Sequence, residues 1–374
     1  SVTVAAAPFG GWLFRQHVQV SIPEQPVANA STLEKPVPTT KPLTIKLDKA
    51  DTVHRYTLRV GEQNVLCKSS EEVSSIQCDI VPLDLEQGKE YSLEVTRRFK
   101  NESPTSVLKS NITTLTATSV IEGSVKPGEM IYARPTELRF TTDKLLKKAT
   151  VSIVQGDVSE KIALTTKVEG ASIIANLAKE LNREKAYTLT IDNVEAEDGS
   201  SLADPYIVGF QTSGGPKVTN VSVGKTGVAL GATITVTFDQ ELSATQDIGK
   251  IVTLSGGTAR ITKGTNYINY TLQSIGQCAD FTIAVGAGML SKYDIASSAG
   301  WSYGSRTICH TTSIYGYSVR GRALVAYTFG TSGPVTMYVG AIHGNEPSSS
   351  GLMKAWIDDL EANSSLYSGK RVVV

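Results

Sequence analysis

The 374-residue sequence has no apolar run approaching the roughly 20 residues that a bilayer-spanning helix needs. Its best candidate, Val2 to Phe14, is broken by Pro8 and by the pair Gly10 and Gly11. Net charge is missing as well, because 36 Lys and Arg are balanced by 36 Asp and Glu. That balance leaves no long-range field to recruit nucleic acid or an acidic membrane. There is no CxxC, which argues against a structural zinc knuckle. The chain does not open with Met; it begins at Ser1, as expected of a processed chain or a fragment, and a removed signal peptide would explain this.

What is present is mostly β patterning. The length suits two to four domains at roughly 100 to 200 residues each. Residues 1–42 carry six prolines and little periodicity apart from HVQVSI at His17 to Ile22, which alternates like one strand. Glu24 to Pro42 suits an extended, polyproline-like linker. The arm either serves as a flexible leader or adds a strand to the sheet edge of another copy.

Residues 43–117 hold short alternating runs, among them HRYTLRV, SIQCDIV and EYSLEVTRRF, with turns about every 8 to 12 residues. Tyr56, Leu58 and Val60, and Tyr91, Leu93 and Val95, fall on inward positions. The pattern predicts a β-sandwich resembling immunoglobulin or fibronectin modules. Residues 118–213 repeat it. Their last part, AYTLTIDNVEAEDGSSLADPYIVGFQTS, resembles the final hairpin of bacterial Ig-like domains of surface-layer and secreted proteins. Asp192, Glu195, Glu197, Asp198 and Asp204 make that hairpin loop acidic. Several carboxylates could hold Ca²⁺. Their spacing fits no calcium loop, and Asp198-Gly199 is first a turn signal, so a solvated turn is expected.

Gly214, Gly215 and Pro216 mark the start of a third module, residues 214–312, whose TITVTFDQEL echoes the earlier TELRFTTDKL. SSAGWSYGSRTICHTTS is expected to close it as a tail, with Trp301 or Tyr303 filling the core. His54 and His310 lie on or beside strand patterns without a second ligand and are expected to be structural.

Four cysteines allow three pairings; confinement of each pair to one module favours Cys67 with Cys78 and Cys278 with Cys309, the alternative being four free buried thiols. The shorter loop would contribute about 3 kcal/mol by restricting the unfolded chain. Two such bridges imply an oxidising, extracytoplasmic location, secreted or on the cell surface.

Residues 313–374 change class. VTMYVGAIHGNEPSSSGLMK predicts a buried strand, Thr336 to Ile342, then a polar turn, then a helix from Ser350 to Ala362. Leu352, Met353, Trp356, Ile357 and Leu360 would form its apolar stripe, and KRVVV at Lys370 to Val374 the next core strand. His343 and Glu346 sit just past the first strand, where open α/β sheets keep their ligand sites. His with Glu and one further ligand is a set used for catalytic zinc.

GAIHGNEP, preceded by GYSVRGRALVAYTFG, resembles the opening of a zinc carboxypeptidase domain of the bacterial murein-peptide amidase or carboxypeptidase type. The resemblance runs from Ile314 to Val374. It implies that His343 and Glu346 are the first two Zn²⁺ ligands, with a peptide or peptidoglycan stem peptide as substrate. It also implies that the second zinc-binding His, the substrate-binding Arg and the general-base Glu all lie beyond Val374. Zinc would polarise the scissile carbonyl and activate water in the complete domain. Two protein ligands do not make a competent site. The chain by itself is therefore expected to be inactive and to hold no metal stably.

The expected fold is thus mostly β: tandem Ig-like β-sandwich domains followed by a truncated α/β carboxypeptidase-like segment. Two functions compete. One is the opening part of an extracytoplasmic zinc hydrolase carried on Ig-like modules. The other is a structural, adhesive or filament-forming surface protein that assembles through its sheet edges, the 1–42 arm or the face around Trp356.

Overall fold

The computed structural model describes residues 25–52, 55–68, 72–98, 102–156, 160–340, 342–343 and 347–374. The expected strand at His17 to Ile22, and His54, lie outside them. The chain is mostly β and divides into two compact units. One comprises Ser1–Gly128, Pro135–Lys179 and Tyr187–Gly209; the other comprises Glu129–Arg134, Glu180–Ala186 and Phe210–Val374.

The first unit opens with β1 (Leu43–Thr52), β2 (Arg55–Val60), β3 (Gln63–Lys68), β4 (Glu72–Cys78), β5 (Glu90–Arg98) and β6 (Thr105–Thr113). Alternation decides which side chains enter the core: Tyr56, Leu58 and Val60 are buried, while Arg55 and Arg59 stay outside. The strands form one hydrogen-bonded sheet in the order β1-β4-β3-β2-β5-β6. It folds over because β3 changes partner along its length. Gln63 to Leu66 pair with β2, and Cys67 and Lys68 pair with β4. Ile45, Tyr56, Leu58, Ile76, Val95 and Ile112 close the core between the layers. The Cys67–Cys78 disulfide joins directly opposed residues of β3 and β4.

Residues 25–42 are not a free linker. A short 3-10 turn at Ala30–Leu33 lets Ala28, Leu33 and Val37 enter the core of the same sheet. Ala28 bridges to Leu47 on β1, and Val37 bridges to Thr114 at the end of β6. Asn29 N–H donates to Lys46 O (2.8 Å) and Val37 N–H to Thr113 O (2.8 Å). The strands β1 and β6 are the two edges of the sheet, so this part of the arm caps both within its own chain. The sequence expectation of an extended linker fails because unpaired edges and three spaced apolar side chains draw the segment in.

The buried Asp51 carries a charge network shared with the half-buried Arg97. Arg97 meets Asp51 in a bidentate pair, Nε to Oδ2 (2.8 Å) and Nη2 to Oδ1 (2.9 Å), and the Tyr56 hydroxyl donates to the same carboxylate.

The first unit also holds most of a second module. Its strands are β7 (Val120–Gly123), β8 (Glu129–Ile131, belonging to the other unit), β9 (Glu137–Thr142), β10 (Leu146–Gln155), β11 (Glu160–Lys161), β12 (Leu164–Glu169), β13 (Ser172–Leu177), β14 (Ala186–Ala196) and β15 (Tyr206–Thr212). One sheet runs β12-β13-β9-β7, and β11-β10-β14-β15 are hydrogen-bonded neighbours in another. Leu138, Phe140, Ile153, Ile173, Leu189 and Val208 are buried. The acidic loop is held as a turn. Ser200 donates its N–H (2.9 Å) and hydroxyl (2.6 Å) to Asp198, and Lys144 (3.1 Å) pairs with that carboxylate.

In the second unit, the end of β15 pairs in parallel with β8. The third module follows as β16 (Val218–Val221), β17 (Thr233–Phe238), β18 (Val252–Ser255), β19 (Thr258–Lys263), β20 (Tyr267–Ser274), β21 (Asp280–Val285) and β22 (Trp301–Arg306). Its sheets are β16-β17-β20-β19 and β18-β21-β22, packed over Ile234, Val236, Ile268, Tyr270 and Ile283. The expected tail is in part a strand: β22 pairs with β21 from Trp301↔Val285 to Arg306↔Asp280. Trp301 and Tyr303 stack (6.0 Å between ring centroids, planes 8° apart) and pack half-buried against the core. Then come β23 (His310–Tyr317), β24 (Ala323–Phe329), β25 (Val335–Met337), α1 (Pro347–Ala362) and β26 (Arg371–Val373).

Burial pushes the hydroxyls of Tyr56 and Tyr270 above the ordinary tyrosine range, and the hydrogen bond to Asp51 adds to the effect at Tyr56. The fold therefore keeps protons that the unfolded chain releases near pH 10. Both contributions are present below that pH and fall away as pH rises through and beyond it. Urea unfolding between pH 8 and 12 should show stability declining above about pH 10, and Tyr56→Phe should flatten the decline in the first unit.

Candidate functional site

The C-terminal sheet has the order β23-β24-β26-β25. Two antiparallel pairs, β23 with β24 and β24 with β26, are followed by a parallel pair, β25 with β26. Gly330 makes the turn out of β24 at φ +78°, where a Cβ would lie 2.3 Å from Lys370 O. Only glycine fits so close an approach.

β25 is shorter and more exposed than the sequence suggests. The expected buried strand Thr336 to Ile342 ends at Met337, and Val335, Met337 and Ile342 are 54%, 60% and 73% exposed. The reason is the partner. β25 has β26 on one side only, and the ladder stops where β26 stops, at Met337↔Val373. One further bond, Tyr338 N–H to Val373 O (2.8 Å), carries the chain past the strand.

The helix α1 starts at Pro347, earlier than the expected Ser350, with proline in the first turn, where its missing N–H costs nothing. Leu360 is fully buried, and Trp356 and Ile357 pack around Phe329 and Val372. Leu352, placed on the same stripe from sequence, is instead 65% exposed. Gly340 lets the chain press against the helix, since a Cβ there would stand 2.2 Å from Met353 Cγ.

A cavity of about 480 Å³ opens beside the carboxyl ends of β25 and β26. Tyr338, Val339 and Gly340 form one wall, Met353 and Ile357 of α1 another, and Val374 contributes at the end of β26. This is where α/β sheets place ligands, beyond the ends of parallel strands. His343, between Gly340 and α1 in the sequence, is exposed. Glu346 lies outside the described residues. Among the described residues, no three His, Cys, Asp or Glu side chains gather as a metal group would require. No catalytic step is assigned to this cavity.

Sequence reasoning missed Glu361, the residue that fixes this segment in place. Its buried carboxylate accepts the Cys309 N–H (2.9 and 3.2 Å to the two oxygens) and contacts His310 Nδ1. His310, expected to be structural, is packed between Tyr327 (4.9 Å) and Phe329 (5.3 Å) and held by Glu361. The Cys278–Cys309 disulfide lies alongside, and Cys278 Sγ is 3.2 Å from the Tyr367 hydroxyl. Burial, and then the charge of Glu361, push the Tyr367 hydroxyl above its usual range. Arg306 pairs with Asp280 (2.7 and 3.0 Å) and reaches Ala362 O. The sequence does contain a signal: Glu361 stands four residues after Ile357 on the apolar stripe, where a carboxylate needs buried partners.

Glu361→Ala would leave the Cys309 N–H and His310 without their acceptor. Urea unfolding followed by Trp fluorescence should show a loss of about 2 to 4 kcal/mol.

No family model matches the chain, and no curated protein matches it. Solved structures similar to parts of it are β-domain proteins. The titin I9–I11 tandem is 9% identical, with a TM-score of 0.28, over 72% of this chain and 94% of that one. The FN1–FN3 domains of chicken CNTN1 are 11% identical, with a TM-score of 0.21, over 76% and 98%. CopC from Methylosinus trichosporium OB3b is 13% identical, with a TM-score of 0.23, over 26% and 93%. Likenesses this distant carry no inference about ligand or activity.

Proposed function

We propose that this is an extracytoplasmic protein in which β-sandwich modules carry the opening part of a zinc carboxypeptidase-like layer. The observation behind the enzymatic part is the cavity at the carboxyl ends of β25 and β26, whose wall includes Gly340, three residues ahead of His343 in sequence. The two disulfides support the oxidising location. The peptidase-like part rests on the resemblance of GAIHGNEP to zinc carboxypeptidases, with a peptide or cell-wall stem peptide as the substrate class. The resemblance matches only two of that family's zinc ligands, His343 and Glu346, and on this reading the chain itself should not hydrolyse peptides.

The expected metal behaviour is specific. After dialysis the chain should hold no stoichiometric zinc, and His343→Ala should leave its metal content unchanged. During a Zn²⁺ titration, the His343 ring resonances should still move, and they should not move with Mg²⁺. A His343 that ignores zinc altogether would sink the ligand assignment, and chelator-sensitive hydrolysis by the pure chain would sink the inactive reading.

A second reading is favoured by the distribution of exposed apolar side chains. Among the described residues, 12 of the 22 large exposed ones lie between Ile314 and Leu352, a concentration that single scattered residues do not produce. On this reading the segment serves self-assembly, with a second copy covering Met337, Val339 and Leu352. Sedimentation velocity should then show concentration-dependent association that Met337→Asp abolishes.

A further inference from the structure

We propose that a separate cavity, in the second unit, binds one ring of a neutral saccharide. It measures about 310 Å³ and lies beside the chain that leaves β17. That size is near the lower end of small-molecule sites, which span roughly 300 to 1,000 Å³, and suits a single ring.

Two tyrosines, Tyr132 and Tyr293, line it. The turn bearing Tyr293 is clamped by Arg134, whose Nε donates to Tyr293 O (3.1 Å) and Nη2 to Asp294 O (2.8 Å). Arg134 Nη1 is in turn held by Glu180 (2.8 Å), so the backbone carrying the ring is fixed before any ligand arrives. Lys292, the one cation in the lining, is matched by Glu241 (Nζ to Oε1, 2.8 Å). No positive charge is left over to attract a phosphate or sulfate.

The remaining polar groups are rich in acceptors. Asp239 Oδ1 takes the Lys217 N–H (2.9 Å) and Gln240 Nε2 (3.3 Å), while among the described residues no donor reaches Oδ2. The Asn266 side-chain amide has no partner among the described residues. Gln240 is only 9% exposed. Its Nε2 donates to Ser213 Oγ (2.8 Å), yet its Oε1 is buried without a partner. That oxygen is closed to solvent, so the acceptors a ligand can reach are those of the exposed Asp239 and Asn266, which line the same cavity. The ligand chemistry that answers these features is a ring with several hydroxyl donors, no charge, and apolar C–H faces to lie on tyrosine. A pyranose has all three.

The intact chain is titrated calorimetrically with cellohexaose, maltohexaose and chitohexaose. At least one should bind saturably. Tyr293→Ala and Tyr132→Ala should each weaken that binding by about tenfold, while Tyr293→Phe, which keeps the ring, should stay within about threefold. Asp239→Asn should also weaken binding, and circular dichroism should show each variant folded. Asn266→Ala, at an exposed turn, supplies a second variant should Tyr293→Ala fail to fold, and it should weaken binding too. The proposal is overturned if none of the three sugars gives saturable heat, or if affinity is unchanged in both Tyr293→Ala and Asn266→Ala. Binding of an oligolysine peptide in their place, abolished by Asp239→Asn, would also overturn it in favour of an amine site.

Discussion

A single buried carboxylate holds the C-terminal segment where its chemistry can be read. Glu361 reaches back from the end of α1 to the Cys309 N–H and His310, at the start of β23. Without it, α1 would rest on the sheet only through an incomplete apolar stripe, with Trp356, Ile357 and Leu360 against Phe329 and Val372. An ionised carboxylate is tolerated in such surroundings only when its lone pairs are met, and here a backbone N–H and an imidazole meet them. The disulfide to Cys278 then ties the same strand end to the third module. Helix, strand and module are thereby locked at one point.

The same demand, that polar groups without water find partners, shapes the first unit. A six-stranded sheet that folds on itself still has two edges, and a run of unpaired N–H and C=O groups on each would invite other chains. Here the polypeptide supplies its own cover from residues 25–42. The edges expected to serve assembly are occupied in this module. Apolar exposure is concentrated elsewhere, in the segment from Ile314 to Leu352. If copies of this chain associate, that segment is the better surface for it.

How much of this was legible in the sequence depended on whether the signal was local. Period-two alternation in β2 and β5 placed Tyr56, Leu58 and Val95 inside, because alternation in a strand is a property of neighbouring residues alone. Both cysteine pairs followed from their confinement to single modules. The arm did not, since Ala28, Leu33 and Val37 follow no period and matter only once the sheet edges exist. The strand β22 was hidden by Gly304 and small serines, which carry little propensity. The length of β25 was set by where β26 ends, a fact about a partner some 35 residues later. At the candidate site, the sequence marked the turn after the strand and the residue His343, but not the cavity or Glu361, whose roles arise from packing. The Tyr132 and Tyr293 cavity left no sequence trace either, as its walls come from loops far apart in the chain.

The arm that caps both edges of the first sheet also bears on how the molecule carries tension. A pull on the chain ahead of Ala28 would reach the contacts at Leu47 and Thr114 before any of the six strands. Those few bridges would peel one at a time, whereas the strands behind them are zipped along their lengths and stapled between Cys67 and Cys78. Drawing out the segment 25–42 would also pull Ala28, Leu33 and Val37 from the core, so the arm takes the first load and the sheet behind it feels the loss.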